Sequence, residues 1–168
     1  GVNFDFKYQP ETNDSVESVL QNESNFISMT DNIPSVAPVE GFISQRMSSD
    51  YSSIYSKHRG IDIVTNQGSP IKASASGIVI FSSWTYDLGN LIILYHGDGY
   101  FTHYGHNQQN LVDPLDFVIK GEVIGLVGNT GISSGPHLHF EIWKDNISIN
   151  PLKYFPEYKK TDLTYNNE

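Results

Sequence analysis

Two histidines one residue apart, His137 and His139, lie in the run Ser134-Gly135-Pro136-His137-Leu138-His139-Phe140-Glu141-Ile142. Apolar residues at alternate positions, Phe and Ile among them, read as a strand, on which side chains two apart share a face. His137 and His139 then stand side by side, while Leu138 and Phe140 turn toward a core. Two imidazoles on one face are costly to bury without partners and well suited to a metal ion. A second group, His58-Arg59-Gly60-Ile61-Asp62-Ile63-Val64, holds a histidine and an aspartate four residues apart. Gly60 and the β-branched residues disfavour a helix here and favour a strand. On a strand His58, Gly60 and Asp62 share a face, Ile61 and Ile63 face the core, and Gly60 leaves a space for a metal held by His58 and Asp62. Taken alone, a His–Asp surface pair beside a turn explains this group equally well. The third group is Thr102-His103-Tyr104-Gly105-His106. Alternation places Thr102, Tyr104 and His106 on one face and His103 on the other. Taken alone, it reads as packing or surface.

These residues need a scaffold, and the rest of the chain describes one. The 168 residues fit a single domain with a real core. From Ile33 onward, strand-like runs alternate with glycine-containing turns: 60–64, 71–75, 77–82, 91–95, 100–104, 122–127 and 139–143. With 14 Gly and 8 Pro and no long run of helical period, this spacing predicts an all-β, antiparallel sandwich or barrel. Residues 1–32 are polar and acidic and read as an N-terminal arm or linker, with a short helix expected over Ser15 to Phe26. Residues 33–156 form the expected catalytic domain, and the polar tail 157–168 is expected to fray. His96, before the hairpin turn Gly97-Asp98-Gly99, reads as structural, as does His103.

Composition narrows the chemistry. There are no cysteines, so any zinc is held by His, Asp or Glu. A net charge of −9 argues against nucleic acid and against simple electrostatic attachment to an anionic surface. No apolar run is long enough to span a membrane. The leading Gly1 before a polar stretch reads as a trimmed start, so the lack of a visible signal peptide carries no information.

Together the three groups, in this order, resemble the zinc endopeptidases of the lysostaphin/LytM type, the M23 peptidases, which carry His-x-x-x-Asp, then Thr-x-Tyr-x-His, then Gly-Pro-His-Leu-His-Phe. Gly68-Ser69-Pro70-Ile71-Lys72-Ala73, Gly89-Asn90, the glycine turns of 125–131 and Asn150-Pro151 are similar to that family's connecting segments, so the resemblance runs from about Pro34 to Pro151. It implies a LytM-like β domain and one catalytic zinc held by His58, Asp62 and His139. It also implies His106 and His137 as the catalytic pair, and hydrolysis of peptide cross-links in bacterial peptidoglycan. Three N/O ligands leave one coordination position open, the pattern of catalytic zinc. Spacing alone leaves the ligand at 137 or 139; the resemblance assigns His139. In the implied reaction zinc activates water and polarises the peptide carbonyl. One of His106 and His137 moves the proton to the leaving amine and the other donates to the oxyanion; the sequence leaves that division open. Tyr104, on the face given to His106, is expected to orient substrate. Glu141, on the face of His139, is expected to accept its second N–H, with a solvent-facing position as the alternative.

Gly131-Ile132-Ser133-Ser134-Gly135 has the Gly-x-Ser-x-Gly form of a serine-hydrolase elbow, but it precedes Pro136 and a strand rather than a helix. It reads as a turn presenting His137. A non-catalytic LytM-like module that activates another wall hydrolase is the main alternative, and the five expected site residues favour the enzyme. A purely structural zinc site is closed by a fourth protein ligand, which the motifs do not supply. Some family members are held inactive by an N-terminal asparagine at the open zinc position. Asn13, Asn22, Asn25 and Asn32 are candidates, and no spacing selects one. The expected location is the bacterial cell envelope, periplasmic or extracellular, and the acidic balance suits tethering through a removed N-terminal segment.

Overall fold

Wherever alternating apolar residues stand between glycine turns, the chain runs as a strand. The computed structural model describes residues 29–49 and 57–166. It contains β1 (Phe42–Gln45), β2 (Ile61–Val64), β3 (Pro70–Lys72), β4 (Gly77–Thr85), β5 (Gly89–Gly97), β6 (Tyr100–Asn110), β7 (Phe117–Val118), β8 (Val123–Val127), β9 (His137–Lys144) and β10 (Ile147–Ile149). The seven runs expected from sequence correspond to β2–β6, β8 and β9. The three strands without a sequence signal, β1, β7 and β10, span four residues or fewer, too short to show a period. The expected helix over Ser15 to Phe26 lies outside the described residues.

All named strands pair antiparallel, in the order β1-β2-β9-β6-β5-β4-β7, with β10 on β9, β8 on β6 and β3 on β8. One face of this sheet carries the main core. Ile61, Ile63, Ile92, Leu94, Tyr104, Leu138, Phe140 and Ile142 are fully buried there, each aliphatic or Phe side chain stabilising the fold by roughly 1.5–3 kcal/mol. The opposite face is divided. Leu91, Ile93 and Phe101 form a smaller apolar cluster, and next to it polar residues line up across the strands. The rows Asp62–His139–Gly105 and Glu141–His103 are cross-strand neighbours in register.

β6 changes partner in mid-course. It pairs with β9 through Tyr100–Gly105 and with β8 through Asn107–Asn110. His106 stands at the corner, in the left-handed region at φ 64°. This corner corrects the simple alternation. Thr102 and Tyr104 point into the core, His103 points to the polar face beside Glu141, and the turn at His106 brings that side chain to the polar face as well.

Among the described residues the tail, through Asn166, does not fray. Short 3-10 turns at Pro156–Thr161 and Leu163–Asn166 lie against β1. Tyr158 is buried beside Phe155, and its hydroxyl donates to the Val39 carbonyl at 2.5 Å. Two aromatic anchors outweigh the polar residues around them.

Candidate metal centre

β2 and β9 are adjacent, so Asp62 and His139 face each other directly. Gly60 permits this. A Cβ there would collide with the Phe140 carbonyl oxygen and Glu141, so its missing side chain lets β9 approach rather than leaving room for a metal, as the sequence had suggested. His58 precedes β2 and is held by the segment after β1. Its backbone N–H donates to Ser48 Oγ at 2.7 Å, and its Nδ1–H donates to the Arg46 carbonyl at 2.8 Å.

The inward atoms converge. His58 Nε2 is 3.1 Å from Asp62 Oδ1 and 3.2 Å from His139 Nδ1, and His139 Nδ1 is 2.9 Å from Asp62 Oδ1. Among the described residues these three form the one group whose donor atoms cluster in this way. The outward atoms are committed. His139 Nε2 donates to Glu141 Oε1 at 2.8 Å. Glu141 Oε2 accepts from Trp143 Nε1 at 2.6 Å and lies 3.5 Å from His103 Nδ1, while His103 stacks on Trp143. A histidine whose outer nitrogen is tied to a carbonyl or carboxylate presents the other nitrogen as a lone pair, the arrangement that metal-binding histidines use. The separations of 2.9–3.2 Å are near the ~3.3 Å edge of a tetrahedron with bonds of about 2.0 Å. The donor set therefore fits zinc.

Electrostatics favour a positive charge at this point. Burial alone would depress His139, but hydrogen bonds and charges from Asp62 and Glu141 raise it to about 9. Burial alone would raise both carboxyls. Hydrogen bonds from His139 and His58 hold Asp62 well below the usual carboxylate range, and His139 leads the groups that bring Glu141 to about 2.

The other two site histidines flank this centre. The His106 and His137 rings are 4.6 Å apart, and His137 Nε2 is 3.7 Å from Asp62 Oδ2. Both are tethered through Nδ1: His106 donates to the Thr130 carbonyl at 2.7 Å, and His137 to the Gly135 carbonyl at 2.8 Å. Each thus turns Nε2 away from its tether. Burial lowers the His106 pKa against the pull of that carbonyl. The 128–136 loop that supplies both carbonyls is fixed by Thr130, which donates to Asn107 O and accepts from Asn90 N–H. At φ 74°, Gly131 lies so close to Gly89 that a Cβ would strike its backbone. Ser133 Oγ donates to Gly135 O, so the elbow-like run is a turn that presents His137. A cleft of about 430 Å³ adjoins Asp62 and His137, lined also by Ser44, Gln45, Val64, Ser134, Gly135 and Pro136.

One expected site residue is corrected. Tyr104 is fully buried, packs on Phe140, and its hydroxyl is bound to Ser74 N–H and Thr102 Oγ1; it cannot touch substrate. Of the latency candidates, Asn32 lies beside Gly97 at the β5–β6 hairpin, before the start of β6 rather than at its His106 corner, and the other three lie outside the described residues. Sequence reasoning missed His103 because β6 alternation was read without its corner, and it missed Trp143, which continues the face of His139 and Glu141 on β9. It missed Arg46 and Thr130 because they act through backbone carbonyls, which carry no residue signature.

The model of peptidase family M23 matches residues 56–151. The chain is 42% identical over 94 residues to the peptidoglycan DD-endopeptidase ShyC of Vibrio cholerae, covering 56% of this chain and 22% of that protein. It is 42% identical over 101 residues to the murein hydrolase activator NlpD of Salmonella dublin, covering 60% of this chain and 26% of that protein. Among solved structures, a zinc-containing peptidase from Vibrio cholerae superposes with a TM-score of 0.62 at 28% identity, covering 71% of this chain and 38% of that one. Lysostaphin from Staphylococcus simulans superposes with a TM-score of 0.57 at 31% identity, covering 67% and 50%. The matched segment spans about a fifth to a quarter of the length of the curated relatives.

Proposed function

The chain belongs to peptidase family M23, and from that premise we propose that it is a zinc-dependent endopeptidase cleaving peptide cross-links of bacterial peptidoglycan in the cell envelope. The observation that carries this reading is the convergence of His58 Nε2, Asp62 Oδ1 and His139 Nδ1, with His106 and His137 beside them and every outer nitrogen tethered. His58, Asp62 and His139 would hold the metal. Zinc, when bound, polarises the peptide carbonyl and makes water acidic enough to attack near neutral pH. Burial keeps His106 neutral near pH 7, which suits it to accept the proton from water and return it to the leaving amine. His137, tethered at Nδ1 and closest to Asp62 through Nε2, is placed to donate to the developing oxyanion when protonated. The cleft on the Asp62–His137 side would take the peptide on one flank of the scissile bond.

Similarity to NlpD supports a second reading, a module that binds the wall and activates another hydrolase. Purified peptidoglycan separates the two. On the enzyme reading, the wild-type protein carries about one zinc and releases cross-link-cleaved fragments detectable by mass spectrometry. His106→Ala keeps its zinc while turnover falls by about 10²–10⁴-fold. A zinc-loaded wild type that releases no fragments alone, but accelerates an added wall hydrolase, establishes the activator instead.

A further inference from the structure

His58 is the one proposed ligand that stands outside the β2–β9 ladder, so something else must orient it. Its Nδ1–H is aimed by the Arg46 carbonyl, and Arg46 lies just past the end of β1, where the β1–β2 register stops at Gln45↔Asp62. From there the strand is held by a different contact. Arg46 Nε and Nη2 both donate to Asp162 Oδ2, at 2.9 and 2.7 Å. The Asp162 side chain is only 5% exposed. Thr164 N–H and Oγ1 hold its other oxygen at 3.0 and 2.6 Å, and the Arg46 guanidinium lies 5.2 Å from the Tyr165 ring centroid. Asp162 also bridges to Ile43 of β1 through the backbone.

We propose that residues 156–166 act as a positioning clamp for the metal centre, holding through Asp162 and Arg46 the carbonyl that orients His58. Asp162 lies beyond residues 56–151, the segment that the family model matches. An exposed ion pair alone contributes little. This one differs because its carboxylate is shielded, doubly bonded to one guanidinium and locked by Thr164, so the Arg46 backbone has little freedom to rotate its carbonyl away from His58. Groups that hold the outer nitrogen of a metal-bound histidine are worth 10–100-fold in metal affinity. A clamp acting one residue further out is expected to be worth about tenfold or somewhat less.

This inference rests on the zinc reading, and its test is read in metal affinity rather than turnover. Zinc alone is titrated against a chromogenic chelator into the full chain, wild type, Arg46→Met and Asp162→Asn, with the metal-free melting temperature of each recorded. Arg46→Met keeps the carbonyl and removes the anchor. Both variants are expected to bind zinc about three- to tenfold more weakly, and the double variant no more weakly than either, because the two residues act as one unit. Asp162→Glu is expected to restore part of the loss, and the visible absorption bands of cobalt in the same site should shift in Asp162→Asn. Unchanged zinc affinity in both variants, with or without a lower melting temperature, overturns the clamp and leaves the zinc reading standing. A wild type that takes up no zinc overturns the zinc reading and the clamp with it.

Discussion

β5 and β9 each bury a histidine, on opposite faces of one sheet, and their surroundings drive them in opposite directions. His96 faces the core side, between the Ser76 carbonyl at 2.8 Å and Thr102 Oγ1 at 2.7 Å. Burial and the nearby Lys120 charge lower it to about 4, against the pull of that carbonyl. His139 is equally hidden but lies between two carboxylates, and it is raised to about 9. Desolvation is common to both; the partners decide the sign. The core face is a place where polar groups survive by being neutral and satisfied. The site face is a place where charge is collected, with Asp62, Glu141 and His139 holding one another in position.

The contrast is sharpest at neighbouring residues of β9. Phe140→Ala should cost about 3–5 kcal/mol in urea unfolding, because a fully buried ring shared with Tyr104 and Phe155 leaves a cavity. A loss below 1 kcal/mol would mean that the core face is not the source of stability. His96 should make stability depend on pH. Its folded pKa lies below the ordinary 6.5, so its contribution is complete above pH 6.5 and is lost as pH falls toward 4. The loss should reach roughly 3 kcal/mol, and comparison of wild type with His96→Gln at pH 7.5 and 4.5 isolates it. In the metal-free protein His139 should have the opposite sign, with stabilisation present below pH 6.5 and lost as pH rises through 9. Glu141→Gln should weaken zinc binding by about 10–100-fold and cost about 1–3 kcal/mol of stability, because an amide, unlike the carboxylate, cannot accept from both the His139 and the Trp143 N–H. Equal damage from Phe140→Ala and Glu141→Gln in both measurements would erase the distinction between the faces. The smallest effect is conformational. His106 occupies the left-handed region, so His106→Gly should be about 1 kcal/mol more stable than His106→Ala by thermal unfolding, although both lose the imidazole.

Much of this molecule is legible in the chain. The period-two pattern of Ile61, Ile63, Leu138 and Phe140 fixes which face of β2 and β9 is buried, and so places Asp62, His137 and His139 together on the other face. This works because a regular strand leaves its side chains only two directions. Family resemblance added the expectation that His139 rather than His137 is the ligand, which spacing leaves open.

The same logic failed at β6, for a physical reason. Alternation assumes an unbroken strand, and β6 changes neighbours at His106, where one left-handed residue breaks the alternation. Tyr104 was therefore expected in the site and lies in the core, while His103 was expected away from it and faces Glu141. The tether of His58 was equally invisible, because a carbonyl oxygen is common to every residue and only the folded chain shows whose carbonyl arrives. Residue types and their period determined which groups are available and on which face of a regular strand they stand. Strand partners, the corner in β6 and the packing of the C-terminal turns decided which of them meet. Those choices depend on contacts between segments far apart in sequence, where local pattern has no reach.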